Sequence, residues 1–472
     1  MAGWWSLVPP LVAIGLALLT REVFLSLLAG ILVGSILLHR GHLWAGLREL
    51  FDQLVAVFAD AGNTRILFFC LLVGGLMTLL QASGGVEGFI ARASRWRWAR
   101  SRIGAQWLVY GLGLLIFVES SITCLITGAV GRPLFDRLRI SREKLAYFCD
   151  ATSAPVCMQI PLNGWGAYVL GLLMAQGLSE AMAVQTLAQS LLYNFYSLLI
   201  LFSLPAIIYG LDFGPMRAAE LRAQHTGKVL RDGAQPLVSE ELVFAEPPAD
   251  RPRRALNMLL PLAVMIGMIP LGLWITGAGN LMQGSGSTAV LWAVSAAIVV
   301  ALGLGLLQGL FSLSQGVQLV LRGSSGLLAV TILLVFAFAL SHICRELGLG
   351  PYVAGLISPE WPVFWIPALV FLVGCFVSFT LGSSWGAFAI LMPVAVPLAQ
   401  ATGLPLPLVV AAVLSGGVFG DHTSPLSDTT IISSMASVCD HMDHVRTQLP
   451  YGLLAAALAA VAFGTAGWLF SR

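Results

Sequence analysis

Eleven consecutive residues, Gly-Asp-His-Thr-Ser-Pro-Leu-Ser-Asp-Thr-Thr at 420–430, gather two carboxylates, five hydroxyls and an imidazole. Pro425 sits among them, and a proline inside a helix removes a backbone hydrogen bond and breaks the helix. The break frees carbonyls beside the side-chain oxygens of Thr423, Ser424, Ser427, Thr429 and Thr430. Hard oxygens of this kind, with Asp421 and Asp428, suit a small hard cation such as Na⁺. Helix N-termini beside the break suit an anionic substrate group equally well. Desolvation pushes an aspartate towards its neutral form and a nearby cation pulls it back. A carboxyl poised near neutral pH binds H⁺ or Na⁺ but not both, and a site that faces two sides in turn then exchanges them. Asp421 or Asp428 is the first candidate for that carboxyl, and Asp150 the second.

Helix capping at a membrane face is the plainer role for Ser, Thr and Asp in one such segment. The pattern, however, recurs. Asp150-x-Thr152-Ser153-x-Pro155 pairs with Asp421-x-Thr423-Ser424-Pro425. Pro161-Leu162-Asn163 pairs equally well with Pro425-Leu426-Ser427, so the register stays open. Each segment follows a polar interruption in an apolar run: Glu119-Ser120-Ser121 in the first half, Ser383-Ser384 in the second. Paired interruptions in two halves mark the central site of a secondary transporter. Asp150, Thr152 and Ser153 are the first-half ion candidates. Glu119, Ser120, Ser121, Asn163, Trp165, Ser383, Ser384, His422 and Thr430 are candidates for lining the substrate cavity, with His422 also read as a structural hydrogen-bonding group.

The elements that must hold these residues are membrane spans. Of 472 residues, 58% are hydrophobic and 10% charged, against about 25% charged in a soluble domain. Apolar runs of the length that crosses a hydrocarbon core of about 30 Å recur throughout. Unbroken runs such as Leu-Trp-Ala-Val-Ser-Ala-Ala-Ile at 291–298 lack the alternation of a barrel strand. The expected fold is an all-α polytopic membrane protein of about ten to twelve transmembrane helices, in two inverted structural repeats with re-entrant hairpins and broken helices. Spans are expected at 5–20, 23–38, 65–82, 104–131, 146–177, 183–210, 255–276, 287–309, 323–343, 362–400, 404–419 and 450–470. Those at 104–131 and 362–400 carry polar breaks, which survive at membrane depth only where protein or a wet cavity satisfies the backbone.

Residues 211–254 are charged, contain prolines and carry seven Lys/Arg, which reads as a cytoplasmic linker loop under the positive-inside rule. It separates an N-terminal half, 1–210 with a repeat core at about 104–177, from a C-terminal half, 255–472 with a core at about 362–438. The five arginines of 91–102 belong on the same side, and 43–60 reads as an amphipathic connector. The N-terminus reads as a retained span. Seven cysteines have neither metal-ligand nor disulfide spacing. Asp440-His441-x-Asp443-His444 is not a standard zinc spacing, and no metal beyond Na⁺ is expected. A net charge of +2 without a basic cluster gives no reason to expect nucleic acid.

Residues 415–451, with their Gly-Asp…Ser-Pro-x-Ser-Asp-Thr-Thr motif, resemble the C-terminal signature of the NhaC-type sodium/proton antiporters of the ion transporter superfamily. Leu-Gly-Ser-Ser-Trp-Gly-Ala-Phe at 381–388 resembles that family's second-half hairpin, and 141–168 its first-half signature. The resemblance implies Na⁺/H⁺ antiport, with some members exchanging organic acids such as malate or lactate. It places the ion site on Asp421, Ser424, Ser427, Asp428 and Thr429. It implies no cofactor, only Na⁺ and H⁺ as coupling ions, with the lipid bilayer and a small solute or ion as partners. A homodimer in the cell's inner membrane is the expected setting. One departure is Glu119-Ser120, where the family often has an acidic pair. Two other readings compete: Na⁺-coupled symport or exchange of a small organic acid or amino acid, and an intramembrane aspartyl protease built on Asp150 and Asp421. The protease motif lacks its first glycine, since Val418 precedes Phe419-Gly420-Asp421.

Overall fold

The computed structural model describes residues 3–20, 22–93, 101–117, 119–236, 254–356 and 362–471. The first half contributes α1 (Val8–Thr20), α2 (Val23–Leu38), α3 (Leu43–Ala59), α4 (Ala61–Ala82), α5 (Gly85–Ala93), α6 (Arg102–Leu115), α7 (Ser120–Arg137), α8 (Arg142–Ala151), α9 (Ala154–Gln159), α10 (Gly164–Ala175), α11 (Glu180–Ser190) and α12 (Phe195–Ile208). α13 (Gly214–Thr226) lies in the linker. The second half contributes α14 (Leu256–Thr276), α15 (Gly286–Leu307), α16 (Leu313–Gly326), α17 (Leu328–Glu346), α18 (Leu349–Leu356), α19 (Ile366–Leu381), α20 (Ser384–Thr402), α21 (Leu406–Thr423), α22 (Asp428–Ser437) and α23 (His441–Phe470). Among the described residues, eight helices are long and apolar enough to cross a membrane, or ten when two bent pairs are each counted as one span. The bends are 45° between Arg142–Gln159 and Gly164–Ala175, and 44° between Glu180–Tyr193 and Phe195–Ile208.

The two overlong runs divide where their polar interruptions fall, at 116–119 and at 382–383. The segment at 43–60 is one helix, as its charge spacing predicts. The run at 323–343 begins later than expected. Gly323-Ser324-Ser325-Gly326 ends α16, and the span proper is α17. Glycine is a poor helix former, and here it serves packing: a Cβ on Gly323 would lie 2.2 Å from the Gly74 carbonyl oxygen of α4.

α8 and α22 have ten residues each, about 15 Å of helix, or half of a hydrocarbon core of about 30 Å. Each has one end at the polar face covered by the linker and the other at a break. α22 packs on both α7 and α8. α7 and α22 run side by side in the same direction, since Gly128 faces Ala436 and the Ser433 hydroxyl donates to Cys124 Sγ at 3.1 Å. Their first turns, capped by Glu119 and Ser427, therefore lie side by side.

The second break is held by the crossing of α19 and α21. A Cβ on Gly420 would lie 2.2 Å from the Phe379 backbone nitrogen. Gly382 ends α19 at φ 66°, a left-handed conformation that glycine adopts without strain.

The linker is folded over 211–236, while 237–253 and residues 94–100 of the arginine-rich stretch lie outside the described residues. Lys144 Nζ donates to Asp212 at 2.9 Å, and Arg102 pairs with Glu220 at 2.7 Å. Arg222 pairs with Glu143 at 2.9 Å, and Arg231 reaches Asp443 at 2.5 Å and Asp440 at 3.4 Å. A charged strap therefore ties the first turn of α8 to the start of α23. Burial opposes the charge on Asp440, but the N–H groups of Gln235, Asp443 and Met442 and the Arg231 guanidinium hold its carboxyl below the usual range. A lowered carboxyl contributes stability that is present at neutral pH and lost as pH falls through its folded value.

Gly420→Ala is expected to lower thermal stability in detergent by about 1–3 kcal/mol, because backbone cannot yield as a side chain does. Gly267→Ala, inside α14 with nothing within 4 Å of its Cβ, is expected to leave it unchanged or raise it slightly. Truncating Lys144, 2% exposed, is expected to cost about 3–5 kcal/mol. Truncating Arg231, 45% exposed and screened by solvent, is expected to cost far less. Thermal unfolding of the purified variants checks all four.

Candidate ion-binding site

Asp421 lies in the last turn of α21 and is 2% exposed. Its carboxylate is held by hydroxyls from two helix starts. Ser384, in the first turn of α20, donates to Oδ2 at 2.7 Å, and Ser427, the cap of α22, donates to Oδ1 at 2.6 Å. Ser427 also lies 3.0 Å from the Thr429 hydroxyl. The carbonyls released at the break are taken up locally. Thr429 and Thr430 donate to the Asp421 carbonyl at 3.4 and 3.2 Å, and Gln448 donates to that of His422 at 2.5 Å. His441 Nε2 lies 2.9 Å from the Pro425 carbonyl.

This arrangement differs from open carbonyls facing an ion. The cage is made of hydroxyls, each of which both donates and accepts. Turned inward, they stabilise an ionised Asp421 in the dry interior. With their protons swung away, for instance from Ser427 to Thr429, the same oxygens offer lone pairs to a cation. Ser424 takes no part, because its hydroxyl donates to the Phe379 carbonyl at 2.7 Å and fastens α19 to the break. Asp428 is exposed at the start of α22, and its Oδ1 accepts the Thr429 N–H at 2.8 Å. Glu119, half-buried, caps α7 by accepting the Ile122 N–H at 2.8 Å, beside Ser120 and within electrostatic range of Asp428. The two acids mark the accessible side of the break, and Asp421 is the buried one behind them.

The first-half candidates gather elsewhere. Asp150, fully buried, accepts Gln448 Nε2 at 3.0 Å on Oδ2, which also lies 3.3 Å from His444 Nε2. Thr152 and Ser153 point to backbone instead, donating to the Phe148 and Asp150 carbonyls at 2.7 Å each. His422 Nδ1 lies 2.7 Å from the Tyr196 hydroxyl. Gln448 and Tyr196 did not stand out from sequence reading, and His444 was weighed there only as part of a metal-like run. The available signal for His444 and Gln448 was their helical spacing with Tyr451 at the polar start of the last span. The Asp440-His441-x-Asp443-His444 run does not converge: Asp440 and Asp443 meet Arg231, His441 meets Ser434 and Pro425, and His444 meets Asp150.

Asn163 is fully engaged. Its Nδ2 donates to the carbonyls of Phe117, Cys157 and Ile160 at 2.7, 2.9 and 2.9 Å, and its Oδ1 accepts the N–H groups of Trp165 and Gly166. One side chain therefore fastens the break at 116–119 to the break at 160–163. Ser383 caps α20 through the Gly386 N–H. Trp165 packs on Trp385 with ring centres 4.9 Å apart, and Tyr168 donates to the Trp385 carbonyl at 2.8 Å. Ser121, half-buried, follows Glu119 in the first turn of α7.

Broken spans around buried carboxylates and hydroxyls define a membrane transporter rather than an enzyme. The chain belongs to the Na⁺/H⁺ antiporter family, whose profile matches residues 156–468. It is 32% identical to an uncharacterized protein of Haemophilus influenzae over 99% of this chain and 91% of that one. It is also 31% identical to the malate-2H⁺/Na⁺-lactate antiporter of Bacillus subtilis, over 32% of each chain. In fold it is similar to the YdaH transporter of Alcanivorax borkumensis, with a TM-score of 0.54 and 15% identity over 89% of this chain and 88% of that one. The protein is thus a multi-pass secondary transporter of the antiporter kind.

Asn163→Ala strips partners from several buried backbone groups, each costing about 1–3 kcal/mol when left unpaired. It is expected to abolish recovery of monodisperse protein on size exclusion, whereas Ser383→Ala, which removes one cap, is expected to be recovered normally.

Proposed function

We propose that the protein is an NhaC-type Na⁺/H⁺ antiporter whose exchanging group is Asp421. The observation that carries this reading is a buried carboxylate held by the hydroxyls of Ser384 and Ser427. Protonated, Asp421 is neutral and stable in that setting. Ionised, it presents one negative charge within a set of hydroxyl oxygens suited to Na⁺. The two states exclude each other, so each passage of the site between the two sides of the membrane exchanges one ion for the other. Asp428 and Glu119 attract cations to the accessible side of the break. The two halves, read as inverted repeats, would rock about this site, in the inner membrane with the linker in the cytoplasm and with a second copy as partner.

A second reading, Na⁺-coupled exchange of a small organic acid, is favoured by the Trp165–Trp385–Tyr168 cluster near Ser384, more lining than a bare cation requires. The name of the Bacillus relative, which pairs two organic acids with H⁺ and Na⁺, points the same way. In everted vesicles, Na⁺-dependent dequenching of a pH dye without any organic solute supports the first reading. Dequenching that requires a carboxylic acid supports the second.

Asp421→Asn is expected to abolish Na⁺-dependent proton flux while inserting normally. Ser384→Ala and Ser427→Ala are expected to raise the half-saturating Na⁺ concentration about tenfold each, about 1.4 kcal/mol. Wild-type flux in Asp421→Asn sinks the assignment.

A further inference from the structure

Behind Asp421 lies a second buried group of polar side chains, with no role in the hydroxyl cage. Four helices build it. α8 supplies Tyr147 and Asp150, three residues apart and so on one face. α23 supplies His444, Gln448 and Tyr451 at helical spacing, α21 supplies His422, and α12 supplies Tyr196. Tyr147 lies over the His422 ring at 5.9 Å and beside Tyr451 at 5.1 Å. Asp150, His422, His444 and Gln448 are all fully buried. Within this group, Asp150 Oδ1, His444 Nδ1, His422 Nε2 and Gln448 Oε1 have no hydrogen-bond partner. Buried polar atoms are seldom left so, and a cluster of them calls for an explanation.

The partners that Asp150 does have set its chemistry. Gln448 and His444 approach the same oxygen, Oδ2. An ionised Asp150 beside a neutral imidazole would leave a net charge of −1 in a dry site, which is costly. One added proton removes that charge. Either neutral form leaves one donor unpaired, at His444 Nδ1 or Asp150 Oδ1. A protonated Asp150 against a neutral His444 is the cheaper of them, because it avoids a full charge pair in a buried setting. The other titratable groups facing Asp150 are Cys149 and Tyr147 on α8, Cys124 on α7, His422 and Asp421 on α21, Tyr196 on α12, Asp428 on α22 and Tyr451 on α23. None of these is a fixed cation.

From this geometry we infer that Asp150, with His444 as its positioning partner, is a second proton-binding site, separate from the cage around Asp421. The inference deepens the exchange reading, on which its place in transport rests. The two sites share one piece of structure. Asp421 and His422 are consecutive in the last turn of α21, about 100° apart around the helix. The first faces the Ser384–Ser427 cage, and the second faces the Asp150 group, its carbonyl held by Gln448. A shift of this turn as a cation enters or leaves the cage moves both sites. The cation's charge also repels a proton on the Asp150 pair. Two protons released for one Na⁺ bound would make the cycle move net charge.

The test is acid-minus-neutral difference infrared spectroscopy of the full chain in liposomes without Na⁺, which needs no transport. The expected result is a carboxylic-acid carbonyl band that is lost in Asp150→Asn and persists in Asp421→Asn. Its midpoint should move by on the order of one pH unit in His444→Gln. A band unchanged in Asp150→Asn, or an unmoved midpoint in His444→Gln, overturns the inference. If Asp150→Asn is not recovered as folded protein, the His444→Gln midpoint decides alone. Failure of the exchange reading shows differently, as wild-type vesicles without Na⁺-driven proton flux, and leaves the infrared titration standing.

Discussion

A buried carboxylate without a cationic partner is the constraint to which the rest of this structure answers. Burial makes the charge expensive, and here serine hydroxyls, not arginine or lysine, hold it. Hydroxyls at that depth require helix starts at that depth. α20 and α22 both begin beside Asp421, one after Gly382 and one after Pro425. Each break then raises a backbone debt, which side chains settle: Thr429, Thr430, Gln448 and His441 around 421–425, and Asn163 for 117, 157 and 160. Fixed partners at these broken carbonyls leave the hydroxyl protons as the parts of the cage free to reorient.

The outer architecture follows from the same requirement. Ten-residue helices reach from one polar face to the site, and the folded strap of the linker pins that face through Lys144, Arg222 and Arg231. The opposite approach to the break is the one where Asp428 and Glu119 are accessible. On the proposed exchange reading, a site closed on the strap side and open towards the other corresponds to one end state of the cycle.

Much of this was legible in the chain. The helical membrane class, the two mid-run breaks and the membership of Asp421, Ser427 and Ser384 in one polar region could be read from composition, Pro425 and the Gly-Ser interruptions. Less could be read of which hydroxyl faces the carboxylate. Ser424 and Ser427 are chemically alike, and only the turn geometry sends one to Phe379 and the other to Asp421. Asn163 reads as a cavity-lining amide by type, yet its every hydrogen bond goes to backbone, because two breaks 46 residues apart meet there. His444 and Gln448 were hidden by distance in sequence, nearly 300 residues from Asp150. The strap's helix, in a segment too polar to suggest packing, is held by ion pairs that no local pattern announces.

The most direct test of the central claim is calorimetric Na⁺ binding to the purified protein in buffers of different ionisation enthalpy, which counts protons released per ion bound. The account predicts release of at least one proton per Na⁺, affinity that weakens as pH falls, and no binding to Asp421→Asn. Na⁺ binding with no proton release and unchanged strength in Asp421→Asn would contradict it.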